Sequence, residues 1–256
     1  MDVEIIKGRN AVLEVLRSSR RHVIELVVRK SPNDPKLRAA VEIARRRGIK
    51  VVFQRTEELD RLAEGRKHQG IVAITSPVRY STLDQIIDKA FLSKRVPLIV
   101  VLDHIQDPHN LGAIIRTAEA VGVHGVVIPK RRAAGLTPTV VKISSGAADH
   151  IPVARVSNIA MTLERLREKG IWIVGLMPEA ERNIYQIDMR MPLALVIGSE
   201  GKGLSRLVSE RCDMLVSIPM FGDISSLNAS VAAAVALYEA VRQRISSSQG
   251  HLSYTP

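Results

Sequence analysis

The feature that most constrains this chain is an uninterrupted apolar run, Leu98-Ile99-Val100-Val101-Leu102, which ends on Asp103 and gives way to a polar loop. A strand with no polar alternation must be covered on both faces, and sheets covered on both faces are built from parallel strands joined by helical crossovers. The rest of the chain keeps this grammar. Helical periodicity predicts helices over residues 110–121 and 157–169, with Ser157 as N-cap of the second. Apolar runs predict strands over 125–128, 171–176, 193–197 and 214–218, and a long helix is expected over 227–245. The fold class implied is α/β with a mainly parallel sheet.

The first third alternates on its own account. A helix is expected over 10–18, with Ala11, Val12, Val15 and Leu16 on one face. It is followed by a strand over 23–28, a helix over 36–47, a strand over 49–53, a short helix over 56–63 with Thr56 as N-cap, and a strand over 70–75. This predicts a small α/β domain over 1–76, a linker over 77–96 carrying one amphipathic helix (83–91), and a larger domain over 97–256. The polar tail, 246–256, is assigned no role. Aromatic residues make up only 3% of the chain, so both cores must be aliphatic.

Charge is uneven. Residues 1–75 hold 17 Lys/Arg against 10 Asp/Glu, whereas residues 76–256 hold 20 against 16. The excess includes Arg20-Arg21, Arg29-Lys30, Arg45-Arg46-Arg47 and Arg66-Lys67, and such clusters suit a polyanion, whose phosphates they neutralise. Lys130-Arg131-Arg132 admits two readings, a nucleic-acid contact or a solvated turn. A lone cysteine, Cys212, excludes an internal disulfide framework, and His104, His109, His124 and His150 lack metal-ligand spacing. No metal is expected. No apolar run spans a bilayer, and the Met1-Asp2-Val3-Glu4 start lacks the head of a signal peptide, so a cytoplasmic protein without a membrane partner is expected.

Ligands of parallel α/β sheets bind at the carboxyl ends of the strands. Three segments follow expected strands and are rich in polar residues and glycine. In Leu102-Asp103-His104-Ile105-Gln106-Asp107-Pro108-His109-Asn110-Leu111-Gly112-Ala113-Ile114-Ile115-Arg116, Asn110 is expected as an N-cap, and Arg116 lies one to two turns into the helix. Gly198-Ser199-Glu200-Gly201-Lys202-Gly203 departs from a Walker loop, because Gly follows its Lys, and from the Gly-x-Gly-x-x-Gly pattern of a nicotinamide enzyme. A glutamate inside a glycine turn repels phosphate and suits a hydroxyl, amine or cationic ligand. In Ile218-Pro219-Met220-Phe221-Gly222-Asp223-Ile224-Ser225-Ser226-Leu227-Asn228, one N-cap explains one polar residue of several.

In order and spacing the three segments resemble the signature motifs of the SpoU-type (SPOUT superfamily) ribose 2′-O-methyltransferases, in the branch that modifies guanosine in bacterial 23S rRNA. The resemblance covers essentially the whole chain, and His68-Gln69-Gly70 is similar to the family's junction motif. It implies a small RNA-binding domain like ribosomal protein L30e, a catalytic domain tied in a deep trefoil knot, and a homodimer whose site draws on both subunits. The methyl donor implied is S-adenosylmethionine. By motif position, Asn110, Arg116, Glu200, Ser226 and Asn228 are the implied active-site residues, and Gly198, Gly203, Ile218, Met220 and Leu227 the implied donor contacts.

The chemistry is consistent with those residue types. A sulfonium donor needs no metal, but a ribose hydroxyl is a weak nucleophile until it is aligned and its proton leaves. Arginine, with a pKa above about 12 as a residue type, is better suited to clamping the substrate phosphate than to removing the proton; both roles stay open for Arg116. Two other functions compete: a transfer-RNA 2′-O-methyltransferase, and a non-catalytic RNA-binding or ribosome-assembly protein on the same scaffold.

Overall fold

In the computed structural model, residues 3–18, 20–30, 34–65, 67–201 and 203–247 are described. The chain divides into two units, Met1–Arg79 and Tyr80–Pro256.

In the first unit, β1 (Glu4–Lys7) leads into α1 (Arg9–Arg17), then β2 (Val23–Arg29), α2 (Pro35–Arg46), β3 (Lys50–Gln54), α3 (Thr56–Leu62) and β4 (Ile71–Thr75). The sheet order is β1-β4-β2-β3; β2 and β3 run parallel, and β4 pairs antiparallel with both β1 and β2. Apolar residues three and four apart on α1 and α2 put Val12, Leu16, Leu37 and Ala40 against Leu26 and Ile71. Strand β1 was not expected from the sequence; it is four residues long and takes its stability from pairing with β4. Thr56 is the first residue of α3 and Arg55 its N-cap, in place of the capping role expected for Thr56.

The second unit begins inside the segment expected to be a linker. Thr82 and Gln85 form a capping box that starts α4 (Leu83–Leu92), and Leu83, Ile86 and Ile87 are buried in the unit's core. Residues 77–96 are therefore not free chain: three of the helix's apolar side chains would be exposed without the sheet. The unit continues through β5 (Leu98–Asp103), α5 (Pro108–Ala120), β6 (Gly125–Pro129), α6 (Pro138–Ile143) and β7 (Val153–Val156). It ends with α7 (Ile159–Glu168), β8 (Trp172–Leu176), β9 (Leu193–Gly198), α8 (Arg206–Ser209), β10 (Met214–Val216) and α9 (Ala229–Ser247). Of the polar tail, Ser246 and Ser247 complete α9, and the remainder lies outside the described residues.

All six strands are parallel, in the order β10-β8-β9-β5-β6-β7. Every residue of β5 and β6 is buried, as their unbroken apolar runs require. Two expected caps move. Asn158, not Ser157, caps α7 by accepting from the Met161 N–H. Asp107 caps α5 by accepting from the His109 N–H, with Pro108 at the first helical position, so Asn110 is released from the capping role expected of it.

Topology now fixes where a ligand would sit. β5 sends its connection through α5 to β6 on one side, and its neighbour β9 sends its own through α8 to β10 on the other. Adjacent parallel strands whose connections diverge leave a crevice at their carboxyl ends. Here those ends are Asp103 and Gly198, which are paired in register.

Candidate active site

Three segments meet at that crevice. The β5 strand ends on Asp103, a buried carboxylate that accepts from the Ser205 N–H at 2.7 Å and contacts Nδ1 of His104 at 2.6 Å. This braces the glycine loop that follows β9 against the end of β5. The loop itself is closed by a pair of backbone bonds, Ser199 N–H to Gly203 O (3.1 Å) and Gly203 N–H to Ser199 O (2.9 Å). Gly201 and Gly203 have φ of +77° and +61°, which residues with a Cβ rarely adopt.

Glu200 projects from this loop into a polar cluster. Its Oε1 accepts from Asn110 Nδ2 at 2.7 Å, from Asn228 Nδ2 and from the Ala229 N–H at 3.4 Å. Asn228 Nδ2 also donates to Asn110 Oδ1 at 3.0 Å. Its Oδ1 accepts from the Ser230 N–H at 2.9 Å, which makes Asn228 the cap of α9. The three residues thus join the start of α5, the loop after β9 and the start of α9. Among the described residues Glu200 Oε2 has no partner.

A cavity of about 510 Å³ lies beside the cluster, lined from the ends of β8 and β9, the glycine loop and residues 218–232. Gly198, Gly203, Ile218, Met220 and Leu227, the five expected donor contacts, all line it, as do Glu200, Ser226 and Asn228. The sequence reading missed Leu176, Met177, Pro178 and Glu179, which form another wall. They directly follow a strand, and that position was the signal that could have revealed them. Among the described residues the lining includes two carboxylates, Glu179 and Glu200, and no Lys or Arg. The two carboxylates favour a cationic group on the ligand.

Arg116 is not brought into this assembly. It is six residues beyond Asn110 on α5, about 9 Å along the axis and about 120° around it. Asn110 is buried, whereas Arg116 is exposed and makes no hydrogen bond or ion pair among the described residues. Ser226 lines the cavity but joins no hydrogen bond of the cluster. Cys212 lies half-buried near Gly175, its thiol donating to Val208 O and pushed up to about 12, chiefly by burial, which leaves it a passive group. Among the described residues no group of three or more His, Cys, Asp or Glu could hold a metal ion, and no helix is long and apolar enough to cross a membrane.

The arrangement matches known proteins over most of its length. Residues 97–238 match the SpoU rRNA methylase family, and residues 5–81 match the RNA 2′-O ribose methyltransferase substrate-binding domain. The chain belongs to the SpoU rRNA methylase family. Within it, YacO of Bacillus subtilis, named for the TrmH family of tRNA/rRNA methyltransferases, is 47% identical over 94% of this chain and 96% of its own length. The 23S rRNA (guanosine-2′-O-)-methyltransferase RlmB of Shewanella oneidensis is 43% identical over 94% of this chain and 98% of its own. Among solved structures, the SpoU methyltransferase AviRb of Streptomyces viridochromogenes, crystallised with S-adenosylmethionine, superimposes with a TM-score of 0.79 at 28% identity, covering 95% of this chain and 91% of that one. The two matches follow the two structural units closely: 5–81 covers the first and runs two residues past its end, and 97–238 covers the six-stranded sheet and the first half of α9.

Proposed function

We propose that this protein transfers a methyl group from S-adenosylmethionine to the 2′-hydroxyl of a guanosine ribose in 23S ribosomal RNA. The observation that carries this is the hydrogen-bonded cluster of Asn110, Glu200 and Asn228 on the rim of a carboxylate-bearing cavity free of described cationic side chains. Such a cavity suits a donor bearing a sulfonium and an ammonium. Gly198 offers its backbone because a Cβ there would collide with Gly203, and Gly203, Ile218, Met220 and Leu227 complete the contact surface. When bound, the donor supplies a methyl group already activated by its positive sulfur.

The chain's residues then serve the acceptor. Glu200, fixed through Oε1, keeps Oε2 for a hydroxyl; Asn110 and Asn228 hold that carboxylate in place. Ser226 contributes a hydroxyl at the cavity wall. Arg116 clamps the substrate phosphate and steadies the developing alkoxide, a task that its planar fork and permanent charge perform well.

We further propose a homodimer whose site takes residues from both copies. Two observations support it: Arg116 is exposed away from the cluster of its own chain, and Val231, Tyr238 and Ile245 form an exposed apolar stripe at seven-residue spacing on α9. The return of the chain from β10, at the sheet's edge, to α9, packed on α5 and β9, fits the trefoil knot implied by the family. The first unit, with its basic excess, grips a structured RNA element, and the enzyme works in the cytoplasm where ribosomal RNA is made.

The test is transfer of labelled methyl to separated 23S, 16S and transfer RNA lacking modifications, with nucleoside analysis. Label in 23S RNA as 2′-O-methylguanosine is expected. Label in transfer RNA alone would replace the substrate, and failure to bind the donor would replace the activity.

A further inference from the structure

The donor cavity explains the carboxyl ends of β8, β9 and β10; the other half of the same sheet edge carries a different chemistry. β6 ends at Pro129 and runs into Lys130, Arg131 and Arg132, all exposed. Arg155, on β7, lies beside them. Among the described residues no carboxylate pairs with any of the four, although three successive cations repel one another.

The turn is pinned at both of its ends, at Lys130 on one side and at Ala134 and Leu136 on the other. The Lys130 N–H donates to Val156 O at 2.8 Å, and the Arg155 guanidinium donates to Lys130 O at 3.0 Å. The Ala134 N–H donates to Ile105 O at 2.8 Å, and the Leu136 N–H to Tyr80 Oη at 2.7 Å. Arg155 also stacks on the Tyr80 ring, 5.0 Å from its centroid. Arg132 is held at φ +55°, a left-handed conformation that costs about 1 kcal/mol or more outside glycine and persists where the surroundings impose it.

The loop's position completes the case. Ile105 belongs to the segment between β5 and α5 that leads to Asn110, so the cationic loop is braced on the same segment as the polar cluster. In the strand order β9-β5-β6, the ends of β9 and β6 are two strand spacings apart, about 10 Å. A phosphate neighbouring a ribose held at the cluster can therefore reach this loop.

We propose that Lys130, Arg131, Arg132 and Arg155 form a phosphate-gripping surface on the catalytic unit that holds the RNA backbone beside the target nucleotide. The proposal rests on RNA being the substrate. It is separate from the grip assigned to the first unit and concerns affinity rather than the methyl-transfer step.

The experiment compares the full-length protein with a Lys130→Gln/Arg131→Gln/Arg132→Gln variant and an Arg131→Lys/Arg132→Lys variant. It reads equilibrium binding to an unmodified 23S rRNA transcript over a range of salt, donor affinity, and KM against kcat. In the triple Gln variant, RNA affinity falls tenfold or more at low salt, and the slope of log affinity against log salt shrinks by about 2 to 3, as expected for three lost phosphate contacts. The loss appears in KM, donor affinity holds, and the Lys variant retains most of the binding. Unchanged RNA affinity and slope in the triple variant would overturn the proposal, as would a loss confined to kcat. If that variant melts early, single Arg131→Gln carries the test, with about one third of the slope change. A wild-type protein that binds RNA yet transfers no methyl would sink the catalytic reading and leave the slope to decide this one.

Discussion

At the scale of single residues, the site separates groups that must be exact in place from groups that must be free. Gly198 belongs to the first kind. A Cβ there would strike the carbonyl of Gly203 and the nitrogen of Leu204, backbone atoms held by the loop's paired hydrogen bonds. Gly198→Ala should weaken donor binding tenfold or more and cost about 1–3 kcal/mol of stability; calorimetric titration with the donor and a thermal melt read both, and donor affinity at the wild-type value would refute the crowding argument. Arg116 belongs to the second kind. Because no hydrogen bond or ion pair among the described residues depends on it, Arg116→Ala should leave the melt unchanged and donor affinity within a few-fold while abolishing methyl transfer. Lys at this position should rescue poorly, since an ammonium cannot offer a planar fork. An active Arg116→Ala enzyme would remove it from the mechanism.

At the scale of elements, α9 is anchored at both ends. Its start is capped by Asn228 inside the polar cluster, and near its end Arg244 donates to the carbonyls of Val96, Pro97, Met189 and Met191 at 2.8–3.1 Å. Those carbonyls lie just before β5 and β9, at the sheet end opposite the cavity. Burial lowers the Arg244 guanidinium to about 10, still charged at neutral pH. Arg244→Met should destabilise the protein by about 2–4 kcal/mol, because four acceptors, three of them part-buried, lose a charged donor at once. The thermal midpoint should drop by several degrees, and a midpoint within one degree of wild type would contradict the anchoring role. None of this was legible in the sequence, where Arg244 reads as one more basic residue near a tail. The long strands and helices were legible because an unbroken apolar run or a 3.6-residue period records burial directly. Strand β1, strand β7 and helices α6 and α8 were not: each is four to six residues long and depends on neighbours distant in sequence. The caps of α5 and α7 shifted by one to three residues for a related reason. Several Asx or Ser residues precede each helix, and only the approach of another segment selects among them. Asn110 is the informative case, since Glu200, ninety residues away, claims its side chain.

At the scale of the whole molecule, the open question is what a second copy contributes. Arg116 and Glu200 are both implied in one reaction, yet the first is exposed on a different face of α5 from the residue that binds the second. If two copies pair and each site takes Arg116 from one and Glu200 from the other, two dead variants can complement. Arg116→Ala and Glu200→Gln proteins, each inactive alone, are unfolded together and refolded as an equimolar mixture. Half the dimers are then mixed, and each mixed dimer has one site carrying both lesions and one carrying neither. Methyl transfer should therefore return to roughly a quarter of the wild-type rate per subunit, as two-fold symmetry with random pairing requires. If both residues act within one chain, every site keeps a lesion and the mixture stays inactive. The stripe on α9 supplies an independent control: Tyr238→Glu, at a position 57% exposed in the single chain, should yield monomers by light scattering without lowering the melt of the fold itself. Such monomers should neither transfer methyl nor complement either dead variant. A monomeric yet fully active Tyr238→Glu protein would place the whole reaction within one chain and leave the exposed Arg116 to reach the site by a movement of α5 instead.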